Sequence, residues 1–186
     1  MHWGPRGRQD PSDPKAMAYV IFPTDFGACA VAWRDSVVTG FQLPGATEAR
    51  ISQGAGDWVT EVDVPAWVRS LLERVRLHLC GTLQDFSDAP IDWSLASDFQ
   101  AAVYRRTLQV KAGSVASYGE ISASIGLGPE SARAVGVALA SNRWPLLVPC
   151  HRVVSAGGKM TGFSAPGGIR TKTRLLALEG AELLSE

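Results

Sequence analysis

Apolar residues fall in short blocks between positions 19 and 43 and at helical spacing from position 65 onward. Tyr19-Val20-Ile21-Phe22 and Ala28-Cys29-Ala30-Val31-Ala32-Trp33 are two such blocks. The turn-rich Pro23-Thr24-Asp25-Phe26-Gly27 between them predicts a hairpin. Residues 37–43 predict a third strand, closed by Pro44-Gly45, and residues 47–53 a short helix capped by Thr47. Between Pro65 and Cys80 the apolar positions are 67, 68, 71, 72, 75 and 79, with arginines at 69, 74 and 76 between them. That is the stripe of an amphipathic helix, and Gly81 ends it. Residues 86–93 offer one more short extended piece.

Residues 85–97 are rich in Asp, Ser and Pro and mark a boundary. Beyond it, residues 99–111 predict a helix capped by Asp98, with Phe99, Ala102, Val103 and Leu108 on the buried face and Gly113 past the end. Residues 117–125 predict a second, N-capped by Ser117 with Glu120 three places on, a capping box. Gly126-Leu127-Gly128-Pro129 is a turn, and a third helix runs from Pro129 to Ala140. Two helices joined by a tight glycine-containing turn make a helix-turn-helix, whose second member would enter a DNA groove. Ser131, Ala132, Ala134, Gly136 and Ala138 let that helix press closely on a flat neighbour, either another helix or a duplex. The expected organisation is a small α/β domain over residues 17–92 and a mainly α, winged helix-turn-helix-like domain over 93–186. Residues 1–16, with three prolines and few large apolar side chains, read as a disordered start, and Met17 as an alternative initiator.

Net charge is zero, yet it is unevenly spread. Residues 1–98 carry 8 Lys/Arg against 13 Asp/Glu, and residues 99–186 carry 10 against 5. A basic carboxy-terminal half suits contact with phosphates. Three cysteines without paired spacing, Cys29, Cys80 and Cys150, indicate free thiols in a reducing compartment. His78 and Cys80 lie close, but four ligands at zinc-site spacing do not assemble, so neither a metal nor a cofactor is expected. No run of about twenty apolar residues exists to span a membrane.

The chemistry concentrates in Val148-Pro149-Cys150-His151-Arg152-Val153-Val154. A thiolate with one nearby base is the minimal kit for nucleophilic catalysis. Neighbours on an extended strand point to opposite faces, so Cys150 and His151 cooperate only if the backbone turns, which Pro149 favours. A buried structural cysteine beside a solvated histidine is the plain alternative.

Around this motif stand Ser117-Tyr118-Gly119-Glu120, Ser131-Ala132-Arg133-Ala134-Val135-Gly136, Asn142, Gly158, Thr161-Gly162-Phe163-Ser164 and Leu175-Leu176-Ala177-Leu178-Glu179-Gly180. Over residues 98–180 the ordered set resembles the O6-alkylguanine-DNA alkyltransferases, which move an alkyl group from guanine onto their own cysteine. The resemblance implies an RNase H-like amino-terminal domain, no cofactor, and a monomer acting on double-stranded DNA containing O6-alkylguanine, in the cytoplasm, at the nucleoid or in a nucleus. It makes Cys150 the acceptor, His151 its base, Glu179 the orienter of His151, Asn142 the hinge and Tyr118 the group that rotates the nucleotide and protonates the leaving guanine. Arg133 would fill the gap left by the flipped nucleotide, with Ser131, Ala132, Ala134 and Gly136 against the minor groove. Leu139, Pro145 and Phe163 would wall the alkyl pocket, while the Val153 carbonyl and the Ser164 amide would meet the base. Phe163 departs from the tyrosine usual in the family, and the loop through Pro166-Gly167-Gly168 is longer than in some relatives. Arg152 reads as a structural ion-pair partner.

Other classes predict different features. A non-catalytic alkyltransferase-like lesion sensor lacks the cysteine present here at 150. A helix-turn-helix regulator wants a basic reading helix, and a cysteine hydrolase wants an oxyanion-hole motif before the nucleophile.

Overall fold

The computed structural model describes residues 17–46, 57–158, 160 and 162–181. The expected disordered start at 1–16 and helix at 47–53 lie outside these residues. Three strands, β1 (Met17–Phe22), β2 (Cys29–Arg34) and β3 (Val37–Gln42), form the antiparallel meander that the apolar blocks predict. Thr24 and Gly27 exchange backbone hydrogen bonds across the first turn, where Gly27 holds φ 125°, a conformation that L side chains rarely adopt. A two-residue strand β4 (Asp57–Trp58) adds parallel to β1, giving the order β3-β2-β1-β4. Helix α1 (Ala66–Leu79) contributes Val68, Leu71, Leu72, Val75 and Leu79 to the core, as its stripe requires, but also His78. The extended piece expected at 86–93 reduces to a single bridge between Val38 and Ile91.

Helix α2 (Asp98–Thr107) starts one residue earlier than expected, and its cap is Ser97 rather than Asp98. Ser97 and Gln100 stand at capping-box spacing and satisfy each other's backbone N–H groups, leaving Asp98 in the first turn, where its charge favours the helix N-terminus. The helix also stops short of 111. Past its end the carbonyl of Val110 accepts from Arg152 Nη1 at 2.7 Å. Strand β5 (Ala116–Ser117) leads into α3 (Tyr118–Ser124), with the predicted Ser117–Glu120 capping box in place. The next helix is split: Pro129–Ser131 is a 3-10 turn, and only α4 (Ala132–Ala140) is α-helical. After a long loop come β6 (Val153–Val154) and α5 (Ile169–Leu178).

The buried apolar residues form one contiguous cluster running from Val20 through Trp144 to Leu175. Each fully buried Leu, Val or Phe in it stabilises the fold by roughly 1.5–3 kcal/mol relative to exposure.

Candidate active site

Two short strands bring the site together. β5 directly precedes Tyr118, and β6 directly follows Arg152. They pair in parallel, Ala116 with Val153 and Ser117 with Val154. Between Pro149 and β6 the chain makes one 3-10 turn, Cys150–Arg152, so thiol and imidazole are not on opposite faces of a strand. The loop before it is pinned at both backbone and side chain. Trp144, fully buried, donates from Nε1 to the Val38 carbonyl at 2.8 Å, and the Phe41 N–H donates to the Arg143 carbonyl at 2.8 Å. Leu146 holds φ 78° although buried, a left-handed conformation costing about 1–2 kcal/mol that its burial helps to offset.

Asn142 ties this loop to the thiol. Its Nδ2 donates to the Val148 carbonyl at 2.9 Å and to Cys150 Sγ at 3.2 Å, while its Oδ1 accepts from the Trp144 N–H at 3.0 Å. Burial pushes the Cys150 thiol up, and the Asn142 amide and the Lys172 ammonium pull it back toward ionisation.

The second half of the site centres on Glu179, at the end of α5. Its side chain is fully buried and receives four donors: His151 Nε2 at 3.0 Å, His78 Nε2 at 3.0 Å, and Arg152 through Nη2 at 2.7 Å and Nε at 2.8 Å. Burial opposes its charge, but the hydrogen bonds from His151, His78 and Arg152 together hold the carboxyl well below the usual carboxylate range. Burial also lowers the pKa of His151, against the opposing pull of Glu179, so the ring is neutral at pH 7. With Glu179 accepting at Nε2, the proton sits there and Nδ1 carries the lone pair. His151 Nδ1 is buried and finds no hydrogen-bond partner among the described residues, leaving a free lone pair one residue from the thiol.

A cleft of about 700 Å³ opens above Cys150. Of the residues singled out from the sequence, Tyr118, Ala132, Arg133, Gly136, Leu139, Cys150, Phe163 and Ser164 line it. The exposed Arg133 lies on its α4 wall, and Gly136 faces the Tyr118 ring, which a Cβ there would meet at 3.7 Å. His151, Glu179 and Asn142 stand behind Cys150 rather than in the wall. Val153 and Pro145 are buried, and the Val153 carbonyl accepts from Lys172 Nζ at 2.5 Å. Ser131 and Ala134 lie on α4 or its lead-in, outside the cleft lining. Arg152 is the structural ion-pair partner its position suggested.

Two buried polar residues at the site escaped the sequence reading. Lys172 is 1% exposed, lines the cleft and lies 5.9 Å from the Tyr118 ring centroid. His78 reaches Glu179 from α1. Each interrupts an apolar stripe, which was the available signal: 75 and 79 flank His78, and Lys172 precedes Leu175, Leu176 and Glu179 by one and two helical turns.

A buried thiol, an imidazole with a free ring nitrogen and a carboxylate bonded to that imidazole, set beneath a cleft walled by α4, are the groups of a cysteine-dependent transferase site. The comparisons agree. Residues 98–181 match the family model described as the DNA binding domain of 6-O-methylguanine DNA methyltransferase. A methylated-DNA–protein-cysteine methyltransferase of Mycobacterium bovis is 34% identical over 161 residues, 87% of this chain and 91% of the relative. One of Methanothermobacter thermautotrophicus is 32% identical over 82% of this chain and 80% of the relative. The crystal structure of Mycobacterium tuberculosis OGT in complex with DNA superimposes with a TM-score of 0.70 at 32% identity, covering 87% of this chain and 92% of that one. The chain belongs to the methylated-DNA–protein-cysteine methyltransferase family.

Proposed function

We propose that this protein repairs DNA by transferring an alkyl group, foremost methyl, from O6 of guanine to Cys150, once per molecule. The observation that carries this reading is the convergence of a hydrogen-bonded, base-flanked thiol with a cleft beside an arginine-bearing helix. The mycobacterial relatives bear the corresponding name, and one was solved with DNA, which supports duplex DNA as the partner.

The family resemblance supplies the roles, and the cleft lining supports those of Tyr118, Arg133, Leu139, Phe163 and Ser164. Arg133 on α4 enters the stack as the damaged nucleotide leaves it, offsetting an unstacking cost of a few kcal/mol. Ser131, Ala132, Ala134 and Gly136 bring α4 close to the groove. Tyr118, Leu139 and Phe163 enclose the swung-out base, with Pro145 supporting the wall from behind, and the Ser164 amide and Val153 carbonyl address its polar edge. His151 Nδ1 takes the thiol proton, Sγ attacks the alkyl carbon, and the carbon–O6 bond breaks. Tyr118 delivers a proton to the leaving guanine. Glu179 fixes the tautomer of His151 without accepting its proton, because both carboxylate oxygens are occupied by donors. The product is a thioether. Residues 17–92 then form an RNase H-like domain and 93–186 a winged helix-turn-helix domain, acting as a monomer.

Intact-mass spectrometry after incubation with an O6-methylguanine duplex tests this. The expected result is one added methyl group mapped to Cys150. Tight binding with no mass change would instead make the protein a lesion sensor.

A further inference from the structure

Two buried histidines meet at one carboxylate oxygen. His78, in the last turn of α1, and His151 each place Nε2 3.0 Å from Glu179 Oε1. The His78 tautomer is set by the backbone: the Gln84 N–H donates to its Nδ1 at 3.1 Å, so Nδ1 carries the lone pair and Nε2 the proton. The Phe86 ring, 5.3 Å away centroid to centroid and tilted by 56°, holds the imidazole in that orientation. Arg152 Nη2 also donates to Oε1, which therefore serves three donors.

We infer that His78 is a positioning residue for alkyl transfer, a neutral donor from the amino-terminal half that fixes the Glu179 carboxylate and, by sharing Oε1, limits how far Glu179 favours protonation of His151. The inference rests on the alkyl-transfer reading. The charged and titratable groups packed about His151 are Cys150 and Arg152 from its own turn, Glu179 and Lys172 from α5 and its end, and His78 from α1. Of these, Arg152 opposes a proton on His151 by its charge, and Glu179 favours one. Removing the His78 donor frees acceptor capacity on Oε1, so Glu179 stabilises the His151 imidazolium better. His151 then stays protonated to higher pH, where it cannot act as base.

The test compares wild type, H78F and H78Q. Phenylalanine keeps the ring volume without a donor; glutamine places an amide N–H near the imidazole Nε2 position. The second-order rate of methyl transfer to Cys150 is followed across the pH range, with melting curves to confirm folding. For H78F we expect a plateau rate lower by about tenfold and an acidic limb moved up by about 1 pH unit. H78Q recovers most of the rate and returns the limb toward wild type. An unchanged limb in folded H78F, or H78Q as slow and as shifted as H78F, overturns the inference, since His78 would then serve packing alone. Should H78F not fold, H78M replaces it as the donor-free variant. If wild type transfers no methyl, the alkyl-transfer reading fails instead. Iodoacetamide alkylation of Cys150, whose pH profile passes through the same base, still tests His78.

Discussion

Asn142→Ala isolates how the thiol is made reactive. The substitution removes one donor to Cys150 Sγ at 3.2 Å and two bonds that brace the loop, to the Val148 carbonyl and from the Trp144 N–H. The thiolate is the form that the lost donor favours. A hydrogen bond to a charged group contributes about 1.5–3 kcal/mol, and one pKa unit corresponds to ~1.4 kcal/mol. The Cys150 pKa therefore rises in the variant. Below that pKa the thiolate fraction falls ~10- to 100-fold. A more basic thiolate is also a better nucleophile, with a Brønsted slope of about 0.45, which returns ~3- to 8-fold. The net loss from ionisation at neutral pH is then about 3- to 12-fold.

The two looser backbone contacts add a further factor, but that factor does not depend on pH. The diagnostic quantity is therefore the ratio of wild-type to variant rates as pH rises. We expect it to hold near its neutral value until the pH approaches the raised Cys150 pKa and to shrink above it, because both thiols then approach full ionisation and the variant's thiolate is the stronger nucleophile. Single-turnover methyl transfer and iodoacetamide alkylation, each mapped to Cys150 by peptide mass, measure it independently. A ratio that is no smaller above the wild-type Cys150 pKa, located from the thiolate absorbance, than at neutral pH would refute the reasoning and reduce Asn142 to a loop brace.

Arg133→Ala, on the exposed wall of the cleft, should slow transfer from duplex DNA by tenfold or more while leaving reaction with free O6-benzylguanine unchanged; equal losses in both would remove its role in the duplex. Acid should destabilise the fold in two stages, seen as a falling melting temperature in calorimetry. His151 has a lowered pKa in the folded state, so below about 6.5 the unfolded chain binds the extra proton and stability drops. Glu179 has a depressed folded pKa, so its contribution is complete above about 4.3 and is lost as pH falls further. A melting temperature that is flat or rising from about pH 7 to pH 5 contradicts the His151 shift, and one flat or rising from about pH 4 to pH 2 contradicts the Glu179 shift. A thiol reagent applied to native protein at pH 8 should label exposed Cys80 within the first minutes and spare Cys29, which is buried and pushed up to about 12. Early modification of Cys29 by peptide mapping would mean that the hairpin core opens.

What the sequence made legible was set by local physics. The hairpin, the amphipathic stripe of α1 and the Ser117–Glu120 box each depend on residues within a few places of one another, and all three stand in the structure. The cap of α2 was misassigned by one residue because Asp98 and Ser97 are both good caps, and only the reciprocal bond with Gln100 decides between them. The Cys150, His151 and Glu179 set was legible through the ordered motifs. Lys172 and His78 were not, because a polar residue on an apolar stripe announces a buried partner without naming it. Trp144 takes its place from β3, which supplies the Val38 carbonyl. Contacts of that kind join residues more than a hundred positions apart, and no local pattern encodes them.

Those long-range contacts explain why the carboxy-terminal half does not build the site by itself. The loop that delivers Cys150 hangs between α4 and the 3-10 turn, and its strained Leu146 gives it no intrinsic reason to adopt this path. Strand β3 supplies one, through the Val38 carbonyl for Trp144 and the Phe41 N–H for Arg143. From the other side, α1 delivers His78 to the carboxylate that orients His151. Cys150 is thus braced from the sheet and His151, through Glu179, from the helix packed on it. Loosening either attachment should move thiol and imidazole relative to each other, at a site where ångström-scale displacement costs up to about 100-fold in rate. The acidic amino-terminal half is, on this account, part of the frame that holds Cys150 and His151 in place.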